Sequence, residues 1–577
     1  MNKDRKICIN LIKSFFIAFA CMSTGSLEST SILVICAFAF SMILLSNKNK
    51  IIGESGRKAL ILSYITGGLF AVLYALFKDV TGGLENPAFK SIFAISTIIG
   101  LFLIFSELIL FILVKAEGAV IKTEKNPFSL KLLLIYSGIV FICCLPFLAL
   151  NYPGVMTPDS LSQYSQINGL EPYVNHHPWV HTAIFGLFYK LGFLCTGNTY
   201  TAIAFYTFFQ IIIVSLSIGY SIECMYEFGF GRCIRILLLL SFILLPYNLI
   251  YSVTIWKDIL FSMAVLILTM TLLRCINEFT VRDIILFNIS GIMMCLLRHN
   301  GFYAFVATAL ILLLFKRNTY PGKAFTKLLI SSASIVIVAL LLRGPVPDAL
   351  GIERDEFVYN LPIPLQQIGA VVVNDCELTS DQEDFLRSIN SLEYIKAGYS
   401  RQGADSMSAW VLSGDTDFFN SHKGDFFKLW VNLGIKHPIL YIRSYLDITM
   451  GYWAPMQPQQ TVFFGITEYD TGLHTQALIQ GPLLIKINEL LYKFYTILPV
   501  YGFMYCMGGF FWLLLIAIAV CLVKSDASGT HNILCMVPVL MLTLTLFIAT
   551  PLAADLRYSY ALMITLPYLI FNIFRKK

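Results

Sequence analysis

The chain has 577 residues, of which 57% are hydrophobic and only 13% charged, with a formal net charge of +6. So much apolar side chain exceeds what the interior of a soluble protein absorbs, which excludes a soluble globular fold and implies a polytopic membrane protein. The positive balance does not point to nucleic acid, because the Lys and Arg residues sit mostly in short loops between apolar runs, where membrane orientation accounts for them.

Apolar runs near 8–24, 30–46, 58–77, 91–115, 131–150, 199–223, 233–250, 257–274, 281–297, 302–316, 326–343, 500–523, 532–550 and 556–574 predict fourteen transmembrane helices. The first run reads as a retained signal anchor, since Ala18 and Phe19 fit a cleavage site poorly and further spans follow. With Lys3, Arg5 and Lys6 in the cytoplasm, the loops bearing Lys48, Lys50, Lys115, Lys122, Arg232, Arg235, Arg274, Arg282, Lys316 and the terminal Arg575–Lys577 also fall there. The run Trp179–Leu194 is read as a partial or re-entrant helix, because a full crossing would reverse the side of every later loop. Most of the fourteen cysteines lie in apolar runs and report packing; Cys376 stands alone in a polar stretch, without an obvious disulfide partner.

The predicted organisation is a set of accessory helices over residues 1–130 and a transmembrane core over 131–343, whose first external loop, 151–198, is catalytic. An external, largely helical mixed domain covers 344–499, and C-terminal transmembrane helices cover 500–577. The fold class is all-α. The 344–499 segment carries 18 Asp and Glu against 10 Lys and Arg, so it is acidic and unlike a polybasic lipid-binding tail. Ser380-Asp381-Gln382-Glu383 has the spacing of a capping box, a second helix is expected over Lys423–Leu433, and Ile439–Trp453 reads as a helix at the membrane surface with Tyr441, Tyr445, Tyr452 and Trp453 at the interface.

The strongly polar clusters all fall on the external side of this layout. They are Pro158-Asp159-Ser160 with Tyr164 and His176-His177-Pro178, then Trp256-Lys257-Asp258, Arg298-His299-Asn300, and Asp555-Leu556-Arg557-Tyr558. Ionisable groups gathered at span ends on one face mark a binding or catalytic site. Asp159 at the mouth of a bundle can accept a proton from a hydroxyl, although Asp159 and Ser160 also suit a helix N-cap. His177 and His181 stand at i, i+4 spacing but have Pro178 between them and no intervening Glu, so polar or phosphate contacts are favoured over a metal site. Lys257 and Arg298 suit simple interfacial anchoring as well as binding. Arg557 has a planar fork that grips phosphate in a bidentate way.

In these motifs the chain resembles the polyprenol-dependent membrane glycosyltransferases of the GT-C fold, including protein O-mannosyltransferases and the aminoarabinose transferases of lipid A. Asp159 matches their acidic motif in the first large external loop. His176-His177-Pro178 matches the stretch that opens the next helix, and Asp555-Leu556-Arg557-Tyr558 matches an acidic-x-Arg-Tyr sequence at the last span. The likeness lies in scattered short motifs over about residues 130–577. It departs where the usual paired acid is Asp159-Ser160, and where four extra spans come first.

The resemblance implies transfer of a sugar from a polyprenyl-phosphate donor, reached laterally from the membrane lipids, to an extracytoplasmic acceptor hydroxyl on a glycan, lipid or protein. Such chemistry needs no bound cofactor, and the missing second acid beside Asp159 speaks against a metal-dependent mechanism. Asp159 would be the general base, with Lys257, Arg298 and Arg557 stabilising the leaving phosphate, while Ser160, Tyr164, His176, His177, Asp258, Asn300, Asp555 and Tyr558 complete the expected substrate-binding set. The Lys- and Asn-rich cytoplasmic ends fit a bacterial plasma membrane on composition. A polymerase or ligase of lipid-linked polysaccharide is the nearer rival, and a secondary transporter, which would show two similar halves, the more remote one.

Overall fold

A computed structural model describes residues 3–25, 36–42, 45, 56–78, 86–275, 279–316, 322–455, 463–469, 471–479, 481–497, 504–524, 527–549 and 555–576. It is an all-α multi-pass membrane protein. Among the described residues eight helices are long and apolar enough to cross a bilayer, or nine if one bent pair counts as a single span. The expected span 30–46 lies only in part within the described residues.

The bundle is built from α1 (Lys3–Gly25), α2 (Gly56–Lys78), α3 (Pro87–Gly118), α4 (Leu130–Leu150), α5 (Pro158–Ile167), α6 (Trp179–Thr196), α7 (Thr199–Glu227), α8 (Arg232–Ile243), α9 (Pro246–Val253), α10 (Lys257–Arg274), α11 (Val281–Leu297), α12 (His299–Lys316) and α13 (Gly322–Arg343). Two of the fourteen expected spans depart from a single full-length helix. The expected span 233–250 breaks into α8 and α9, bent by 63°, because Pro246 cannot donate to the preceding turn and opens a new helix instead. The final span is one 3-10 turn, Leu556–Ser559, followed by a 14-residue helix that at 1.5 Å per residue reaches only about 21 Å.

Helix α6 packs along the first part of α7. His181 near its start bonds Tyr206, and Gly192 near its end packs on Ala202 and Phe205, so it runs antiparallel along only the first turns of the 29-residue α7. Helix α10 is the axis of the core: nearly every side chain from Asp258 to Leu273 is buried, in keeping with a sequence apolar on all faces.

The two ends of the bundle differ. At one end Glu227 pairs with Arg274 and Arg282, Arg274 pairs with Asp283 at 2.9 Å, and Glu223 accepts the Ser129 amide at 2.9 Å. There a short parallel pairing, Ile121–Lys122 (β1) with Arg575–Lys576 (β2), ties the segment after α3 to the C-terminal segment. The other end is loop-rich and carries a polar helical domain that begins at Gly344. Its helices include α14 (Pro362–Val373), α15 (Ser380–Ile389), α16 (Asp405–Leu412), α17 (Lys423–Lys436) and α18 (Pro438–Trp453), packed around a separate core of Leu365, Ile368, Leu386, Trp410 and Phe426. Helices α19 (Met507–Lys524), α20 (Ala527–Ala549) and α21 (Tyr560–Ile573) complete the bundle.

Two local expectations shift. The cap of α15 is one residue early: the Thr379 hydroxyl accepts from the Gln382 amide, and the Gln382 side chain accepts from the Thr379 amide. On α18 the rings of Tyr441, Tyr452 and Trp453 are buried in protein, and it is Ile439 and Ile442, 81% and 60% exposed, that face outward.

Trp410, wholly buried with its indole donating to the Ser391 carbonyl at 3.0 Å, is the largest side chain in the polar domain's core. Trp410→Ala is expected to destabilise that domain by about 3–5 kcal/mol. Limited proteolysis should then cut within residues 380–430 while the bundle stays protected; cleavage unchanged from wild type would contradict a separate core.

Candidate functional site

The loop-rich end is organised by segments that behave as short strands. Residues 155–156 lie between Val253–Ile255 and Gly465–Thr467, with Val155 donating to Val253 and Met156 to Gly465, and with Ile255 and Thr467 donating back. Gly154 is required here, since its φ is 152° and a Cβ would come within 2.6 Å of the Thr207 hydroxyl. Gln210 holds the end of α9 by donating to the carbonyls of Tyr251, Ser252 and Thr254.

This backbone sets the start of α5. Thr157 caps it, Pro158 occupies the first turn, and the Ser160 hydroxyl accepts from the Thr157 amide at 2.8 Å. Ser160 is thereby wholly buried in a capping box and turned away from the ionic cluster, unlike the binding role expected of it. Asp159, one position earlier, points out.

Six ionised side chains from four parts of the chain meet there. Asp159 Oδ2 accepts from Arg557 Nη1 at 2.8 Å and from Lys257 Nζ at 3.2 Å. Lys257 Nζ also donates to His177 Nδ1 at 3.0 Å. Arg557 Nε donates to Asp555 Oδ2 at 2.6 Å, and its Nη1 lies 4.0 Å from Asp258 Oδ2. Arg298 Nη1 lies 3.0 Å from Asp258 Oδ1. That last contact is short but not aligned as a hydrogen bond, so it is held by charge attraction rather than by a directed N–H.

Aromatic rings frame the cations. Arg557 lies 4.6 Å from the Trp256 ring centre, Arg298 lies 4.7 Å from that of Tyr558, and the Trp256 indole donates to Thr157 Oγ1 at 2.7 Å. Trp256 therefore links the cap of α5 to the guanidinium that grips Asp159.

Three carboxylates face three cations, so the cluster is neutral. Asp258, Arg298 and Asp555 are buried, whereas the Asp159 side chain keeps 28% of its surface exposed and forms the mouth. Burial by itself would raise the Asp159 pKa, but Lys257 and Arg557, helped by His177, outweigh it and hold the carboxyl well below its ordinary range. Burial and then Lys257 push His177 the other way, well below the usual imidazole value, so it is neutral and free to accept from Lys257.

His176 stands at one remove. A bridge between Val174 and Glu353 brings Asp355 up to it, and its Nδ1 lies 3.0 Å from both Asp355 oxygens with the Tyr359 ring beside it. Asp405, exposed at the start of α16, lies within electrostatic reach of the cluster: partial burial raises its carboxyl, Arg557 opposes that and Asp159 adds to it. Tyr164 packs edge-on to Tyr189 outside the ionic cluster, and Asn300 bonds Thr545 at 3.1 Å, joining α12 to α20. Neither of these two members of the expected binding set touches the ionic cluster. His181 is occupied by Gln163 and Tyr206 at 3.0 and 2.7 Å. Asp355, Tyr359 and Asp405 escaped sequence reasoning because they lie in an acidic stretch with no regular spacing.

The depressed Asp159 pKa gives a signed expectation. Its ion pairs stabilise the fold above the ordinary carboxyl pKa and are lost as the pH falls through the lower folded value. Thermal unfolding followed from about pH 5 to about pH 2.5 should thus show a shallower loss of stability in Asp159→Asn than in wild type. Parallel curves would remove Asp159 from the ion pairs.

No curated protein and no solved structure matches this chain. One family model does, over residues 172–577, a stretch that contains His176, His177, Lys257, Asp258, Arg298, Asp555 and Arg557 but begins after Asp159. The chain belongs to the DUF6020 family, a family of unknown function.

Proposed function

We propose that the protein is a membrane glycosyltransferase that moves a sugar from a polyprenyl-phosphate donor to an extracytoplasmic acceptor hydroxyl. The observation that carries this reading is the meeting of one partly exposed carboxylate, Asp159, with two cations, Lys257 and Arg557, at the mouth of a membrane bundle.

The neutrality of the cluster gives the reading a definite chemistry. An arriving phosphate finds no spare positive charge and must displace a carboxylate from its cations. Asp159 is the one it displaces, because Asp258 and Asp555 are buried behind it. Lys257 and Arg557 then turn from Asp159 to the phosphate oxygens, and the charges that held the Asp159 carboxyl down are neutralised. Its proton affinity rises as the donor binds, which suits a general base.

In the transfer itself the acceptor oxygen bonds to the anomeric carbon and the bond from that carbon to the phosphate oxygen breaks. The electron pair leaves with the phosphate, and the hydroxyl proton passes to Asp159. Each preorganised cation facing the developing phosphate charge contributes on the order of 3 kcal/mol to the transition state.

In lipid nanodiscs supplied with a panel of polyprenyl-phosphate sugars, Asp159→Asn should lower transfer by about two orders of magnitude while donor binding persists. Arg557→Lys keeps the charge but loses the planar fork, so it should weaken donor dependence markedly. Wild-type rates in both variants would sink the reading.

The site's side of the membrane is read from the Lys- and Arg-rich loops. Single cysteines replacing exposed Asn168 and Ser421, in a background lacking native thiols, should react with an impermeant reagent on intact cells, and one replacing Lys125 only after permeabilisation. The reverse pattern would place the site in the cytoplasm.

A further inference from the structure

A second feature of the loop-rich end lies apart from the ionic cluster. Helices α2 and α3 meet α18 around a cavity of 920 Å³, near the upper end of what small-molecule sites enclose. Leu76, Ala94, Ile98, Leu446 and Met450 wall it with hydrocarbon. Its α2 wall lies within the last two turns of that helix, and its α3 wall begins about two turns into that helix. Both positions are at the same end of the bundle as Asp159, because α3 leads to β1 at the far end and α4 returns from there to Leu150.

The rim of the cavity is polar. Ile439, Ile442, Arg443, Leu446, Met450 and Trp453 recur every three or four residues and form one face of α18. Arg443 and Asp447 are the charges on the lining face of α18, and Arg443 is exposed and flanked by the outward Ile439 and Ile442. Nearby Arg401 is committed to Asp447 through two hydrogen bonds of 2.8 and 3.0 Å. Among the described residues Arg443 forms no ion pair, so the rim keeps one uncompensated positive charge above a hydrocarbon groove.

We infer that this groove is a docking site for a phosphate-headed lipid of the leaflet on the site's side, its chain along α2, α3 and α18 and its phosphate at Arg443. A cation at the rim and aliphatic walls below match the two halves of an anionic amphiphile, whereas a sugar or a polar peptide would leave the walls unfilled. Arg401 and Gln402, which line the groove, belong to the turn that leads to Asp405, so the headgroup is held next to the segment facing Asp159 and Arg557. The α2 and α3 walls lie outside the stretch matched by the family model. The inference stands whether or not the protein transfers sugar.

Trp453 lines the groove and serves as the reporter. The full chain is placed in phosphatidylcholine nanodiscs containing rising fractions of brominated phosphatidylglycerol or brominated phosphatidylcholine. The Trp453 signal is taken as wild type minus Trp453→Phe. The anionic lipid should quench it at roughly one fifth of the mole fraction that the zwitterionic lipid needs. Arg443→Gln should erase that preference, Arg443→Glu should do so at least as fully, and Ala94→Phe, which fills the wall, should reduce quenching by both lipids. Equal quenching in wild type means ordinary boundary lipid only and overturns the inference. So does an anionic preference that survives Arg443→Gln, or quenching untouched by Ala94→Phe. Loss of transferase activity plays no part in the readout, so failure of this proposal and failure of the transferase reading are separate.

Discussion

The structure of the loop-rich end depends on one constraint: the Asp258 carboxylate is buried at the start of the central helix, where an uncompensated charge costs several kcal/mol. The N-terminal position favours a negative charge, but one helix end supplies at most a small part of what is needed. The rest comes from Arg298, at the end of α11, and from Arg557, before α21. The start of α10, the end of the α11 that follows it and the start of the distant α21 are thereby required to meet at one place. Removing Asp258 would leave Arg298 without its ion pair, and removing Arg557 would do the same to Asp555, and that mutual need holds the ends together.

Once Arg557 is drawn in, its remaining N–H groups need acceptors, and Asp555 and Asp159 provide them. This explains why the first loop is pinned by strand-like pairing and by the Thr157 cap: the cap aims Asp159 at a guanidinium whose position is already decided. Trp256 joins the two, stacking on Arg557 and donating to Thr157. The outermost member of the network is consequently the one carboxylate that can exchange its partners without uncovering a buried charge.

The far end of the bundle uses the same chemistry for a different result. Glu227, Arg274, Arg282 and Asp283 also form a charged network, but they pair within neighbouring helix ends, and β1 with β2 closes over the same end of the bundle. Glu223, Cys224 and Glu227 come close enough together to suggest ligands for a cation, yet Arg274 already answers the carboxylates there. One end is thus a staple. The other opens between the bundle and a domain with its own core, and that asymmetry makes it the place to look for chemistry.

Much of this was legible in the sequence. Apolar runs and loop charges were enough for a multi-pass all-α protein, because burial in lipid imposes a length and a polarity that local composition must carry. The clustering of Asp159, His177, Lys257, Asp258, Arg298, Asp555, Arg557 and Tyr558 was legible too, since polar residues at span ends are rare enough to stand out. What composition could not decide was who touches whom. Whether Ser160 points into the crevice or into its own cap, whether Asn300 binds a ligand or Thr545, and that Asp355 and Asp405 reach the site are questions of direction and long-range packing, which leave no periodic trace in the chain. The number of spans depended on tertiary structure as well, because a helix shielded by its neighbours, such as α21 or the broken α8–α9 pair, escapes the length that lipid alone would demand.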